Sequence, residues 1–178
     1  MDGETAGLYP GMVADDPPAG FHRIDFARGR PEPSFNTHLG TLYAKRGEKG
    51  TRDEFVMGCR VQPHMCNPAG GLHGGMMMTI ADLVGGMGAG TLAGIRKFLP
   101  TVSMTFDFVA PARVGDWVEG RAELVRVTRS LLFSSIYLTV GEAKILRASS
   151  ICKIPSGDGL DFGKARLVRE TSSSSRAE

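Results

Sequence analysis

GGMMMTIADLVGGMGAGTLAGI, residues Gly74 to Ile95, is the stretch on which the fold turns. Its twenty-two residues carry a single charge, Asp82, among apolar and small side chains. A run of that length could cross a bilayer. Seven glycines and a central carboxylate argue against it, because Asp in the middle of a span costs about 2.5–3.5 kcal/mol even on the insertion scale. The flanking sequence also reads as strands that need a helix to pack on. The stretch is therefore expected to form a buried central helix and not a membrane span.

Working outward, strand patterns follow the helix in close succession. From Thr101 to Phe108, Val102, Met104, Phe106 and Phe108 alternate with Thr101, Ser103, Thr105 and Asp107, one greasy face and one polar. Val118, Gly120, Ala122 and Leu124 form the apolar set of the next strand. Leu132, Ser134, Ile136, Leu138 and Val140 follow after a break at Arg129-Ser130, then Leu146, Ala148, Ser150, Cys152 and Ile154 after the turn at Gly141-Glu142. Upstream, Leu39 to Arg46 and Glu54 to Val61 read as a hairpin across Gly47 to Thr51. Two strands, one long helix and four strands with short links favour antiparallel pairing. The expected architecture is α+β: a curved six-stranded antiparallel sheet wrapped around one long helix, the hotdog pattern.

The chain has 178 residues, of which 42% are apolar and 22% charged, so one globular core of ordinary size is expected and wholesale disorder is excluded. Met1 to about Gly20 is rich in Gly, Pro and Asp without a period, and Pro155 to Glu178 is Gly-rich and then polar. The expected organisation is a mobile arm over 1–20, the hotdog domain over 21–154 and a polar tail over 155–178. Twenty-one basic residues against 19 acidic give net +2, which is no basis for a nucleic-acid ligand. Three cysteines make no disulfide framework, and the first residues show no apolar signal segment; both point to the cytoplasm.

The chemistry concentrates in Asn67-Pro-Ala-Gly-Gly-Leu-His73-Gly74-Gly75 and in Asp82. Gly74 and Gly75 start the helix, where backbone N–H groups lack intrahelical partners and the macrodipole adds positive charge. Such a place can hold an oxyanion, and equally the glycines could simply turn the chain. Asp82 is expected to be a buried lone carboxylate, hence a general-base candidate, or else a structural Asp bonded to backbone or Thr79. His73 by itself reads as a helix-start residue; beside Asn67 and Asp82 it fits acyl transfer. Cys59, His64, Cys66 and His73 fall close together but lack metal-ligand spacing, so no metal is expected. Met76-Met77-Met78 reads first as core filler and second as the lining of an acyl pocket.

Asn67, His73, Gly74 and Asp82, spaced N-x5-H-G-x7-D, resemble the active-site motif of hotdog thioesterases of the phenylacetate-degradation type. Phe108-Val-Ala-Pro111-Ala112-Arg113-Val-Gly115-Asp116 resembles that superfamily's exit from its third strand, and the likeness runs from about Leu39 to Ile154. The resemblance implies hydrolysis of acyl-CoA or aryl-CoA thioesters without a cofactor. In it the Gly74 N–H polarises the carbonyl, Asn67 places carbonyl or water, and Asp82 is base or nucleophile. His73 supports the loop and the leaving sulfur. Thr101, or Ser103 on the same face, positions water, while Arg129 and Ser130 meet the CoA phosphates. Two other readings belong to different classes: a non-catalytic acyl-CoA sensor, of a kind that carries a DNA-binding module whereas the N-terminal arm here shows no helix-turn-helix pattern, and a hotdog dehydratase or hydratase. Gly74 and Asp82 are about 12 Å apart along a straight helix, so a shared site in a homodimer, or in a dimer of dimers, is expected.

Overall fold

A computed structural model describes residues 11–27, 33–47 and 55–157, together with the backbone of 167–168. Strands β1 (His22–Ile24), β2 (Tyr43–Arg46) and β3 (Phe55–Arg60) precede the helical segment. After it come β4 (Thr101–Phe108), β5 (Trp117–Val127), β6 (Leu131–Val140), β7 (Ala143–Lys153) and β8 (Leu167–Val168). They form one antiparallel sheet in the order β4-β7-β6-β5-β3-β2-β1-β8. The six expected strands are β2 to β7. The two additional ones are too short to show a period of two, and they extend the sheet beyond β2. β2 and β3 pair from Tyr43↔Gly58 to Arg46↔Phe55, while the expected turn between them lies largely outside the described residues.

Both expected terminal segments have residues against this sheet. The Gln62 amide exchanges hydrogen bonds with the backbone of Val13, and Arg60 donates to the carbonyl and carboxylate of Asp16. Residues 13–16 of the expected arm thus lie against the end of β3. Leu167 and Val168, an apolar pair in the polar tail, align with β1 as β8.

The helical segment starts at Gly74 and runs as α1 (Gly74–Leu83), a π turn (Val84–Gly88) and α2 (Ala89–Leu92) without a break in helical backbone. It stops three residues before the expected Ile95. Gly94 takes φ +69°, and the Ile95 N–H turns back to the Gly90 carbonyl at 2.8 Å, a left-handed glycine cap. Among the described residues no helix is long and apolar enough to cross a membrane.

Met77, Ile80, Ala81, Val84 and Ala89 are buried against the sheet, which offers Val118, Leu132, Ile136, Leu138, Leu146 and Ala148. These inward positions are the ones the strand alternation predicts. Gly75, Met78 and Asp82, at steps of three and four, form a stripe of the helix that stays open. β4 is the edge strand opposite β8, and its greasy face is only partly covered: Val102 is 60% exposed and Phe108 55%.

Helix and sheet approach closely where glycine permits it. A methyl group on Gly120 would stand 2.6 Å from Val84 Cγ2 and 2.9 Å from Leu138 Cδ2. Gly120→Ala is therefore expected to destabilise the chain by about 1–3 kcal/mol through overpacking. Urea unfolding checks this; an unchanged midpoint would mean that the helix can ride away from β5 freely.

Candidate active site

After β3 the chain makes a short turn over Pro63–Met65 and enters the loop that leads into α1. Asn67 closes this loop on itself. Its Oδ1 accepts from the N–H groups of Ala69 (3.0 Å) and Gly71 (3.2 Å), and its own N–H donates to the Gly71 carbonyl at 2.8 Å. The amide oxygen is committed to the loop, so Nδ2, which has no acceptor among the described residues, is the end left for a ligand.

His73 is the N-cap of α1. Its Nδ1 accepts from the Gly75 N–H at 2.9 Å, and its own N–H donates to the Met65 carbonyl at 2.9 Å. A lone pair on Nδ1 places the ring proton of the neutral imidazole on Nε2. The Gly74 N–H, between these two satisfied donors, has no acceptor among the described residues. The Phe108 ring lies beside Gly74, where a Cβ would come within 3.3 Å of it. A helix-start donor next to an aromatic wall can stabilise growing negative charge on a carbonyl oxygen.

Asp82 differs from its expectation. It is exposed, not buried, and it has a partner: the Thr101 hydroxyl donates to its Oδ1 at 2.5 Å. The reason is tertiary. Asp82 lies on the open stripe of α1, on the side where β4 begins, and a chain of apolar neighbours in sequence does not bury a residue whose helix face has no cover. Thr101 and Ser103 are not equivalent here. Thr101 pairs with Cys152 but Ser103 pairs with Ile151, so a bulge at Val102 takes Ser103 out of step with Thr101.

Asp82 and Thr101 share the wall of a cavity of about 530 Å³. Its apolar lining comes from Leu83, Met87, Ile95, Phe98 and Leu99. Met76, Met77 and Met78 do not line it: Met77 is core, Met76 lines a smaller hollow at the helix start, and Met78 lines another that shares Asp82, Leu83 and Thr101 with the cavity. Asn36, Arg46, Arg96 and Lys97 also line the cavity and were not singled out by sequence reasoning. The one available signal was the Arg96-Lys97 pair just after the apolar run.

Arg129 and Ser130 occupy the β5–β6 turn. Thr128 Oγ1 organises it, accepting from the Leu131 N–H at 2.9 Å, while the Ser130 carbonyl accepts from the Ile154 N–H at 2.8 Å. Arg129 is exposed, without a partner among the described residues. The turn is at the same end of the sheet as Thr101, but Leu132, Cys152 and Thr101 lie on successive strands, a sideways separation of about 10 Å. The fold therefore brings Asp82 to Thr101 and leaves Arg129 and Ser130 at the periphery. Cys59 is buried in β3, where burial first and Asp15 second push its thiol up to about 12. Among the described residues no cluster of His, Cys, Asp and Glu could hold a metal ion.

Comparison with known proteins extends this picture. The family model described as Thioesterase superfamily matches residues 69–144, a span that holds His73, Gly74, Asp82, Thr101, Arg129 and Ser130. The protein named Putative esterase PA0474 of Pseudomonas aeruginosa is 30% identical over 117 residues, which is 66% of this chain and 85% of the relative. Zebra fish thioesterase superfamily member 2 superposes with a TM-score of 0.62 at 21% identity, covering 73% of this chain and 93% of that one. A hypothetical thioesterase from Streptococcus pneumoniae, solved with coenzyme A, gives 0.57 at 16% identity, covering 66% and 90%. Escherichia coli PaaI, from the phenylacetic acid degradation operon, gives 0.53 at 17% identity, covering 58% and 73%. With a helix cradled in an antiparallel sheet, a family match over that helix and β4 to β6, and a relative 30% identical over most of its length, the chain belongs to the thioesterase superfamily and has the hotdog fold.

Proposed function

We propose that this chain is an acyl-CoA thioesterase that works as a homodimer, alone or as a dimer of dimers, with each active site shared between two subunits. The observation that carries the reading is Asp82, paired with Thr101 at the wall of a partly apolar cavity and on the same helix as the Gly74 N–H, which has no acceptor among the described residues. The coenzyme A held by the pneumococcal relative and the esterase name of the Pseudomonas relative support the substrate class. The three free thiols suit a reducing cytoplasm.

Thr101 holds one oxygen of Asp82, which leaves the other to accept a proton from water. As that proton moves, the water oxygen bonds to the thioester carbon and the carbonyl electron pair shifts onto oxygen. The Gly74 N–H of the other subunit and Asn67 Nδ2 stabilise that charge. Collapse breaks the C–S bond, and the thiolate leaves next to the His73 Nε2–H. Two features support the shared arrangement. Gly74 and Asp82 are about 12 Å apart on one helix. The open stripe Gly75–Met78–Asp82 and the uncovered edge strand β4 offer a second copy both helix and sheet to pack on.

Thiol release from a panel of acyl-CoAs tests the activity; no turnover on any member would end the thioesterase reading and favour a sensor. Two variants test the roles. Asn67→Ala is expected to lower kcat, because its amide acts on the reacting carbonyl, and Arg129→Ala to raise KM, because a phosphate contact is equal in ground and transition states. Losses of both variants in the same parameter would show that one role is misassigned.

A further inference from the structure

The cavity beside Asp82 has an uneven charge distribution that hydrolysis of a plain acyl chain does not require. Three cations line it: Arg46 from the end of β2, and Arg96 and Lys97 from the turn after α2. Among the described residues Arg46 and Arg96 have no carboxylate partner, and the Lys97 ammonium donates to the Gly157 carbonyl and to no carboxylate. The single carboxylate in the lining, Asp82, is bonded to Thr101. Three like charges around one small hollow repel one another, and an anion among them would relieve that repulsion. Between the two polar ends lies the apolar stretch formed by Leu83, Met87 and Leu99.

The spacing is also informative. Ile95, the neighbour of Arg96, is hydrogen-bonded to Gly90, which is eight residues beyond Asp82. The turn bearing the cations is therefore about 12 Å along the helix from Asp82. A ligand whose reacting carbon sits at Asp82 and whose body fills the apolar stretch would bring its far end to the cations. We propose that the cavity takes an acyl group that ends in its own carboxylate, an ω-carboxyacyl or carboxyaryl thioester. This rests on the thioesterase reading for the site and adds the substrate class.

The phosphates of CoA are the other source of negative charge, and a matched pair of ligands separates the two. The probes are non-hydrolysable thioether analogues of CoA with chains of equal length, one ending in carboxylate and one in methyl, titrated calorimetrically. Because both carry the same CoA, phosphate contacts cancel in the ratio of affinities. The wild-type protein is expected to bind the carboxylate analogue about 10- to 100-fold more tightly, the usual worth of a charged hydrogen bond. In the Arg46→Met/Arg96→Met double variant that preference should disappear. Equal binding of the two analogues by the wild-type protein, which needs no variant to measure, overturns the proposal. So does a double variant that weakens both analogues by one factor, since the arginines would then serve CoA. Thioethers report binding without turnover, so a protein that prefers the carboxylate analogue yet hydrolyses no thioester would sink the enzymatic reading and leave the anion site standing.

Discussion

Asp82→Asn is expected to lower turnover by about 10²–10⁴-fold, the worth of general acid–base catalysis by a placed side chain. The substitution is conservative in shape. An Asn Oδ1 can still accept from the Thr101 hydroxyl, which in the native chain donates to Asp82 Oδ1 at 2.5 Å, so the pair can persist while the proton acceptor is lost. Within one subunit Asp82 is exposed, so the substitution opens no cavity in that subunit's core. Loss of rate without a shift in the thermal midpoint would thus separate a chemical role from a structural one. Near-normal turnover would remove Asp82 from the mechanism. A single turnover in ¹⁸O-water probes the nucleophile route, in which attack by the carboxylate expels the thiolate and forms a mixed anhydride. When water opens that anhydride at the Asp82 carboxyl carbon, the first acid released is unlabelled and the label stays on Asp82, an outcome the base route cannot give.

Mixing two dead enzymes, Asn67→Ala and Asp82→Asn, is expected to restore activity to about a quarter of the wild-type level if sites are shared between subunits. In a mixed dimer one site carries both lesions and the other carries neither. Random reassortment makes about half the dimers mixed, and each of those has one intact site of two. The geometric basis is the pair of helix positions described above. An oxyanion donor at Gly74 and a base at Asp82 must converge on one carbon, yet they lie about 12 Å apart along a helix that continues through Leu92 without reversing. A partner helix running antiparallel against the stripe of Gly75, Met78 and Asp82 brings the start of one helix to the middle of the other. Exchange of subunits must be shown by mass spectrometry of differently tagged chains. If they exchange and the mixture stays dead, each site is built within one subunit.

The fold was legible in the sequence because its main signals are local. Strand faces repeat every two residues, and the inward sets of β5, β6 and β7 follow that period: Val118, Gly120 and Ala122, then Leu132, Ser134, Ile136 and Leu138, then Leu146, Ala148, Ser150 and Cys152. The helix announced itself as the long apolar stretch between strands. Its N-terminus was equally readable, since a His cap followed by glycines is a matter of a few adjacent residues. Three residues carry no period for β1 and two carry none for β8, so those strands exist only because an edge was there to receive them.

Sequence by itself thus determined which residues form strands and helix, where the helix starts, and that Asn67, His73, Gly74 and Asp82 lie along one loop and one helix. Only the tertiary structure decided what those residues meet. Asp82 has apolar neighbours on either side in the chain, but it faces the open side of the helix, so it is exposed rather than buried. A bulge at Val102 chose Thr101 over Ser103 as its partner. Arg46 and Arg96, fifty positions apart in sequence, come to one cavity because β2 and the turn after α2 both end there. Burial and pairing depend on what the rest of the chain places against a residue, and that information is spread over segments too distant for any local pattern to hold it.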